Sequence, residues 1–416
     1  MAELYEIKED VERVILAGVC TSEQDDTKAS LDELEELADT AGAVCVGRII
    51  QNRESVHPGT YLGKGKIEEL AGLIIETQAT GIICDDELSP AQLKNLEDAL
   101  QTKVMDRTLV ILDIFAAHAS TSEGKIQVEL AQLKYRSSRL IGLRSALSRL
   151  GGGIGTRGPG EKKLEMDRRL IKDRIAQLNK ELANVKNHRE VLRQQRSKSL
   201  TPIVSIVGYT NAGKSTLLNR LTNAGVLEED KLFATLDPTT RNLALPSGQE
   251  VLFTDTVGFI RKLPHHLIDA FRSTLEEAKY ADILLHVVDA SNPQMDTQMY
   301  VVYETLKQLG IGDKPVITLF NKQDKLEDEI ILRDFQADKT LAVSAKTGDG
   351  LPALLELLEE LLRSQKVYIN CVYPYESAGK IQLIRKNGQL LKEEYAAEGI
   401  QVEAYVPQEI YHAVMP

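Results

Sequence analysis

The string Gly208-Tyr-Thr-Asn-Ala-Gly-Lys-Ser215 constrains this chain more than any other. It matches G-x-x-x-x-G-K-[ST], directly after the apolar run Ile203 to Val207 and before an apolar-periodic stretch opening at Gly213. Strand, glycine-rich turn and helix in that order make a phosphate-binding loop: backbone N–H groups curl around an anion, and the helix N-terminus adds its positive dipole end. Gly208, Tyr209, Thr210, Asn211, Ala212 and Gly213 supply the loop. Lys214 is placed to bridge the β- and γ-phosphates, and the Ser215 hydroxyl, followed by Thr216, to ligate Mg²⁺. The setting predicts a doubly wound, mostly parallel α/β sheet.

Such a loop alone does not separate ATP from GTP. Asn321-Lys322-Gln323-Asp324 does, because a carboxylate at Asp324 accepts from both the ring N–H and the exocyclic amine of guanine, a donor pair adenine lacks. Ser344, Ala345 and Lys346 follow the next strand, where their N–H groups can reach guanine O6. Asp255-Thr256-Val257-Gly258 fits D-x-x-G, with Asp255 holding Mg²⁺ through water and the Gly258 N–H meeting the γ-phosphate, the arrangement of a nucleotide switch. Between the two motifs, Phe233, Ala234, Thr235, Leu236 and Asp237 form the segment that must lend Mg²⁺ a threonine. Thr235 is the choice, with Thr239 and Thr240 as rivals. Lys214, Thr235 and Gly258 are the catalytic candidates. Phe259 stands where many small GTPases carry a water-orienting glutamine, and a phenyl ring cannot hydrogen-bond water. Intrinsic hydrolysis is therefore expected to be slow, the missing group coming from a partner, a cation or a residue such as His265 or His266.

The 416 residues suggest two or three domains, and 43% hydrophobic content suffices for a core in each. Residues 1–120 alternate β-branched runs (Val14 to Leu16, Val44 to Val46, Ile82 to Cys84) with helical stretches (Leu31 to Ala38, Ile67 to Glu76, Ala91 to Leu100), predicting a small parallel α/β domain. Over 121–198, Ile126, Leu133, Leu140 and Leu147 recur every seven residues, as do Leu164, Ile171, Leu178, Val185 and Leu192, so two long helices are expected to face each other as an antiparallel hairpin. Its tip, 151–160, holds six glycines and one proline. Residues 199–364 are the nucleotide domain. Residues 365–416 read as a small α+β tail, with strands at Val367 to Val372, Lys380 to Ile384 and Gln401 to Val406 and a helical piece near Leu390 to Tyr395.

Net charge is −12, which by itself argues against a polyanionic partner. The charge is uneven, however: Gln132 to Ser199 carries 18 Lys and Arg against 6 Asp and Glu. Arg144, Arg149, Arg157, Lys162, Lys163, Arg168 and Arg169 flank the glycine-rich tip and are the candidate RNA contacts. Four widely spaced cysteines, no leader and no long apolar run point to a reducing cytosol and to no membrane span, and a monomer is expected.

Four segments together resemble the HflX GTPases: Gly208 to Thr216, Leu232 to Asp237, Asp255 to Phe259, and Gly151-Gly-Gly-Ile-Gly-Thr-Arg-Gly-Pro-Gly-Glu161, which Ras-like domains lack. The likeness runs from Tyr61-Leu-Gly-Lys-Gly65 to about Lys366. It implies a cytoplasmic, Mg²⁺-dependent GTPase that associates with the large ribosomal subunit and its rRNA, with stimulated hydrolysis and a role in splitting or rescuing stalled ribosomes. Two other readings compete with it: a GTP-dependent binding scaffold, and an RNA-remodelling enzyme acting through residues 1–120. Against the last, no second Walker motif exists, and Gly63-Lys64-Gly65-Lys66 reads as a strand-to-helix turn.

Overall fold

A computed structural model describes residues 11–22, 26–150, 159–196, 201–222, 232–233, 239–264, 277–312, 314–326, 332–364, 366–396 and 399–415; at 140–150, 159–164, 186, 188–196, 378 and 409 it describes backbone only. Two compact units result. The first comprises Met1–Val185 with Asp230–Leu236 and Arg261–Arg272, and the second Lys186–Glu229, Asp237–Ile260 and Ser273–Pro416.

In the first unit β1 (Arg13–Cys20), β2 (Val44–Asn52), β3 (Gly81–Cys84) and β4 (Lys103–Asp106) form a parallel sheet in the order β2-β1-β3-β4. Val14 to Ala17 are wholly buried, as a parallel strand covered on both faces requires. The expected helices are α1 (Thr27–Thr40), α2 (Lys64–Thr77) and α3 (Pro90–Leu100), the last opened by a Ser89–Gln92 capping box and Pro90. A fourth, α4 (Arg107–His118), escapes periodicity because it is apolar nearly all round, burying Val110, Ile111, Leu112, Ile114 and Phe115.

The two long helices are α5 (Ser122–Leu150) and α6 (Pro159–Arg196). Arg174 Nε and Nη2 donate to Glu129 at 2.7 and 2.9 Å, joining the helices at comparable distances from the break between them, as an antiparallel pair demands. On α6 the heptad face holds over the described side chains: Leu178 is fully buried, and Ile171, Ile175, Leu182 and Val185 are half-buried, while the side chains of Leu164 and Leu192 lie outside the described residues. On α5 it needs correction. Ile126 and Leu133 are only half-buried, and the buried stripe is Gln127, Val128, Leu130, Ala131 and Tyr135, because the first half of α5 packs on α3 and α4. The tip, 151–158, lies outside the described residues.

The second unit holds a six-stranded sheet ordered β10-β9-β8-β5-β7-β6. Its strands are β5 (Ile203–Gly208), β6 (Thr239–Ala244), β7 (Glu250–Asp255), β8 (Ile283–Asp289), β9 (Val316–Asn321) and β10 (Lys339–Ala342). Only the edge strand β6 runs antiparallel to its neighbour. Helices α7 (Lys214–Thr222), α8 (Met295–Gln308) and α9 (Leu351–Ser364) cover it, and α9 buries Leu351, Leu354, Leu358 and Leu362 at helical spacing. Strand order reverses beside β5, which places the switch-point crevice at the end of the strand that carries the phosphate-binding loop.

The tail is a three-stranded antiparallel sheet, β11 (Val367–Tyr373), β13 (Gly399–Val406) and β12 (Gln389–Ala396), backed by α10 (Ala378–Asn387) and α11 (Gln408–Val414). Here the sequence reading exchanges two elements. Lys380 to Ile384 is helical: the deeply buried pair is Ile381 and Ile384, three apart, and not an alternating set. Leu390 to Tyr395 is a strand despite its helix-favouring Leu, Lys and Glu, because pairing with β13 outweighs local propensity.

Candidate nucleotide-binding site

The crevice is built from the ends of β5, β7 and β9. Gly208 ends β5, and the loop turns through Asn211 at φ 58° and Gly213 at φ +94°. A Cβ on Gly213 would lie 2.3 Å from Asn321 Nδ2, so this position needs glycine for both conformation and space. Lys214 Nζ donates to the Tyr209 carbonyl at 2.6 Å, folding its side chain back over the loop. Burial pushes this ammonium down to about 8, against the pull of Asp255 and with the help of Lys322. A buried cation at the carboxyl edge of a parallel sheet suits an anion.

β7 delivers Asp255 to the same place. Ser215 Oγ donates to Asp255 Oδ2 at 2.8 Å, and Thr256 Oγ1 ties the following residue to the Ile206 carbonyl at 2.7 Å. The two motifs are zipped together through their backbones: Thr210 N–H donates to Phe259 O at 2.8 Å and Phe259 N–H to Gly208 O at 3.1 Å. Phe259 is 2% exposed, so its ring packs and its main chain registers the D-x-x-G segment against the loop. A Cβ on Gly258 would fall 2.7 Å from Thr210 Cγ2 and 3.0 Å from Lys214 Nζ, so only glycine fits this close to the loop.

β9 brings the third motif. Asn321, buried, donates from Nδ2 to the Ala212 carbonyl at 2.8 Å and accepts from Ala345 N–H on Oδ1 at 2.9 Å. One side chain thus joins the phosphate-binding loop to the Ser344-Ala345-Lys346 turn. Ser344 Oγ donates to Asp324 Oδ1 at 2.7 Å, and this bond holds the exposed Asp324 carboxyl below its ordinary range. Gln323 Nε2 bonds the Phe320 carbonyl at 3.0 Å, and Lys346 is exposed. Lys322, at φ 64°, pairs with Asp289 at 2.8 Å. Asp289 was missed in the sequence; its signal is an acidic residue ending the apolar strand β8 at the carboxyl edge of the sheet.

The structure therefore gathers Gly208 to Ser215, Asp255 to Gly258, Asn321 to Asp324 and Ser344 to Lys346 at one edge of one sheet. Thr239 is paired in register with Asp255, while the Thr240 hydroxyl is 3.1 Å from that of Thr254. Phe233 belongs to the first unit, where its ring packs edge-on against Phe115 at 4.5 Å. Ala234, Thr235, Leu236, Asp237, His265, His266 and Arg157 lie outside the described residues, as do the side chains of Arg144, Arg149, Lys162 and Lys163. Arg168 is half-buried and Arg169 exposed on α6. No described helix is long and apolar enough to cross a membrane.

Three family models match in succession: a GTP-binding GTPase N-terminal region over residues 28–116, a GTP-binding GTPase middle region over 118–196, and a 50S ribosome-binding GTPase over 203–322. Among curated proteins, GTPase HflX of Lacrimispora saccharolytica is 72% identical, covering 99% of this chain and 97% of its own. GTPase HflX of Caldanaerobacter subterraneus subsp. tengcongensis is 50% identical over 98% and 94%, and that of Alkalihalophilus pseudofirmus 45% over 96% of each. With the motifs assembled at a single crevice and relatives matching end to end, this chain belongs to the HflX family of GTPases.

Proposed function

We propose that the chain binds GTP with Mg²⁺ at the crevice of the six-stranded sheet and uses the cycle of binding and hydrolysis to control association with the large ribosomal subunit in the cytoplasm. Asn321 carries this reading: one buried amide links the phosphate-binding loop to the turn that reads guanine, so base recognition and phosphate binding are built as one unit. Asp324 accepts from guanine, and the N–H groups of Ala345 and Lys346 face its O6. Lys214 and the loop N–H groups hold the phosphates, and Gly258 N–H senses the γ-phosphate.

Ser215 and Asp255 fit Mg²⁺, since a hydroxyl and a carboxylate oxygen 2.8 Å apart beside the phosphate cradle are the hard donors that ion takes. Thr235 completes the set in this reading. When bound, Mg²⁺ neutralises charge on the phosphate oxygens. The chain's own residues orient the phosphoryl group, exclude water and hold positive charge at Lys214. None of the gathered side chains takes the place of a water-orienting glutamine, because Phe259 is committed to packing. Turnover by the protein alone then runs far below ~1 s⁻¹, and the ribosome supplies the rest.

The 50S ribosome-binding description of the matching family model supports the partner, and the basic hairpin at 121–198 supports an RNA contact. The division of labour assigns residues 1–120 to an α/β domain, 199–364 to the GTPase domain and 365–416 to the tail. Measuring GTP turnover with and without purified large subunits tests the proposal. Strong stimulation is expected; turnover indifferent to subunits would leave a GTP-dependent scaffold.

A further inference from the structure

The sheet of the first unit has a switch point of its own, between β1 and β3, and open α/β sheets take ligands in the crevice beyond the carboxyl ends of the strands at such a point. Asp85 and Asp86, directly after β3, stand there. Asp85 is 1% exposed and is held from inside by Ser30 Oγ at 2.8 Å and Arg107 Nη2 at 2.7 Å. Arg107, also 1% exposed, pairs in addition with Glu33 at 2.7 Å. Asp86 accepts from the buried Tyr61 hydroxyl at 2.8 Å.

Lys262, which belongs to the same unit, meets both carboxylates. Its Nζ donates to Asp85 Oδ2 and, at 2.7 Å, to Asp86 Oδ1. Lys262 sits at φ 52°, four residues beyond Gly258, and Phe259 and Ile260 between them are each 2% exposed. A short, packed run of chain therefore ties the D-x-x-G glycine to this ammonium. Burial alone would raise the Asp85 carboxyl, and Arg107 with Lys262 overcomes that and holds it below the ordinary range. Phe233, from the segment before β6, enters the same unit against Phe115.

The contacts continue past Arg107. The preceding residue, Asp106, is wholly buried, caps α4 through Leu109 N–H at 2.9 Å, and accepts from the Tyr135 hydroxyl at 2.7 Å and from Arg139, both on α5. Lys262, Asp85, Arg107, Asp106 and the α5 pair form an unbroken series of ion pairs, hydrogen bonds and one peptide link.

We propose that the acidic crevice of the N-terminal sheet is a receptor for the chain's own Lys262, and that this latch couples the nucleotide state at Gly258 to helix α5 of the basic hairpin. The proposal rests on the reading of Gly258 as the γ-phosphate sensor. Lys262 is a positioning residue: it touches neither nucleotide nor metal in that reading. Its two carboxylate partners make the contact bistable, since a buried Asp85 facing Arg107 keeps one partner when the lysine leaves, while Lys262, 38% exposed, passes to water.

Hydrogen–deuterium exchange of the full chain, saturated with GDP or with a non-hydrolysable GTP analogue and without ribosomes, tests it. Amides over 83–88, 105–112 and 132–140 should exchange at rates differing about 5-fold or more between the two states. Lys262→Ala should erase that difference, Lys262→Arg should keep it, and Lys262→Glu should lose it until Asp86→Lys is added. Nucleotide-independent exchange over these segments in the unmodified chain, or a difference that survives Lys262→Ala, overturns the latch. Failure of ribosomal stimulation would count instead against the function proposed above, since the exchange measurement needs only saturating nucleotide.

Discussion

Lys214 shows how one residue makes the site pH-sensitive. Burial holds its ammonium at about 8 before any phosphate arrives, well under the ordinary 10.5. A bound phosphate restores the charged form, so above pH 8 binding must take up a proton. GDP affinity is expected to be flat below pH 8 and to fall about tenfold per unit above it. Calorimetry at pH 9 in two buffers of different ionisation enthalpy should read an uptake of nearly one proton, and Lys214→Arg should abolish it; no uptake would show that the lysine is charged throughout. Under the proposed function, Asp324 selects the base. Asp324→Asn turns an acceptor pair into a mixed edge, and GTP affinity should drop about a hundredfold or more while xanthosine triphosphate gains. Equal GTP affinity in the variant would remove Asp324 from the base-reading role. These residues were legible because each motif is a contiguous string with its chemistry inside it. Asn321 was legible as part of a motif, but its bridging was not, since its partners stand 109 and 24 residues away.

Among the elements, β8 carries an ionisable group that no motif announces. His286, 1% exposed in the middle of the sheet, faces Tyr303 of α8 at 5.0 Å, and the Asp334 carboxylate that lies 3.9 Å from its Nδ1 is taken by Tyr303 and Thr318. Burial pushes the imidazole down to about 4, against Asp334 and with help from Lys214. The unfolded chain therefore takes up a proton as pH falls through 6.5 while the folded one resists until about 4. Stability from this group is complete above 6.5 and drains away across that window, by about 2 kcal/mol between pH 7 and pH 5. Denaturant unfolding of His286→Leu at both values should lack that part of the loss; an undiminished acid slope would place its origin elsewhere. The tail teaches the opposite lesson about reading elements. Lys380 to Ile384 and Leu390 to Tyr395 each span about five residues, too few for period 2 and period 3.6 to separate; pairing with β13 makes the second a strand, while the first is a helix that buries Ile381 and Ile384. Likewise α5 presents two apolar stripes, and only the packing of α3 and α4 decides which is buried.

At the scale of the whole molecule, charge is the organising quantity. An acidic chain of net −12 concentrates 18 Lys and Arg against 6 Asp and Glu in Gln132 to Ser199, a distribution that costs self-repulsion along two helices unless a polyanion offsets it. Six glycines and one proline in 151–160 leave too little side chain there for a core, yet allow close approach of backbone to a crowded surface. If that tip meets RNA, each phosphate contact releases a counterion, and binding must weaken linearly with the logarithm of salt. Replacing Arg157, Lys162 and Lys163 together by Ala should lower affinity for large ribosomal subunits and reduce the salt slope by about 2 to 3, leaving GTP affinity unchanged. Co-sedimentation across a salt series, in GDP and in a non-hydrolysable GTP analogue, reads both quantities at once. Affinity lost without a change of slope would mean that these residues act through fold rather than phosphate contact. Affinity and slope both surviving would move the RNA contact away from the tip, and the N-terminal α/β layer would then be the surface to test.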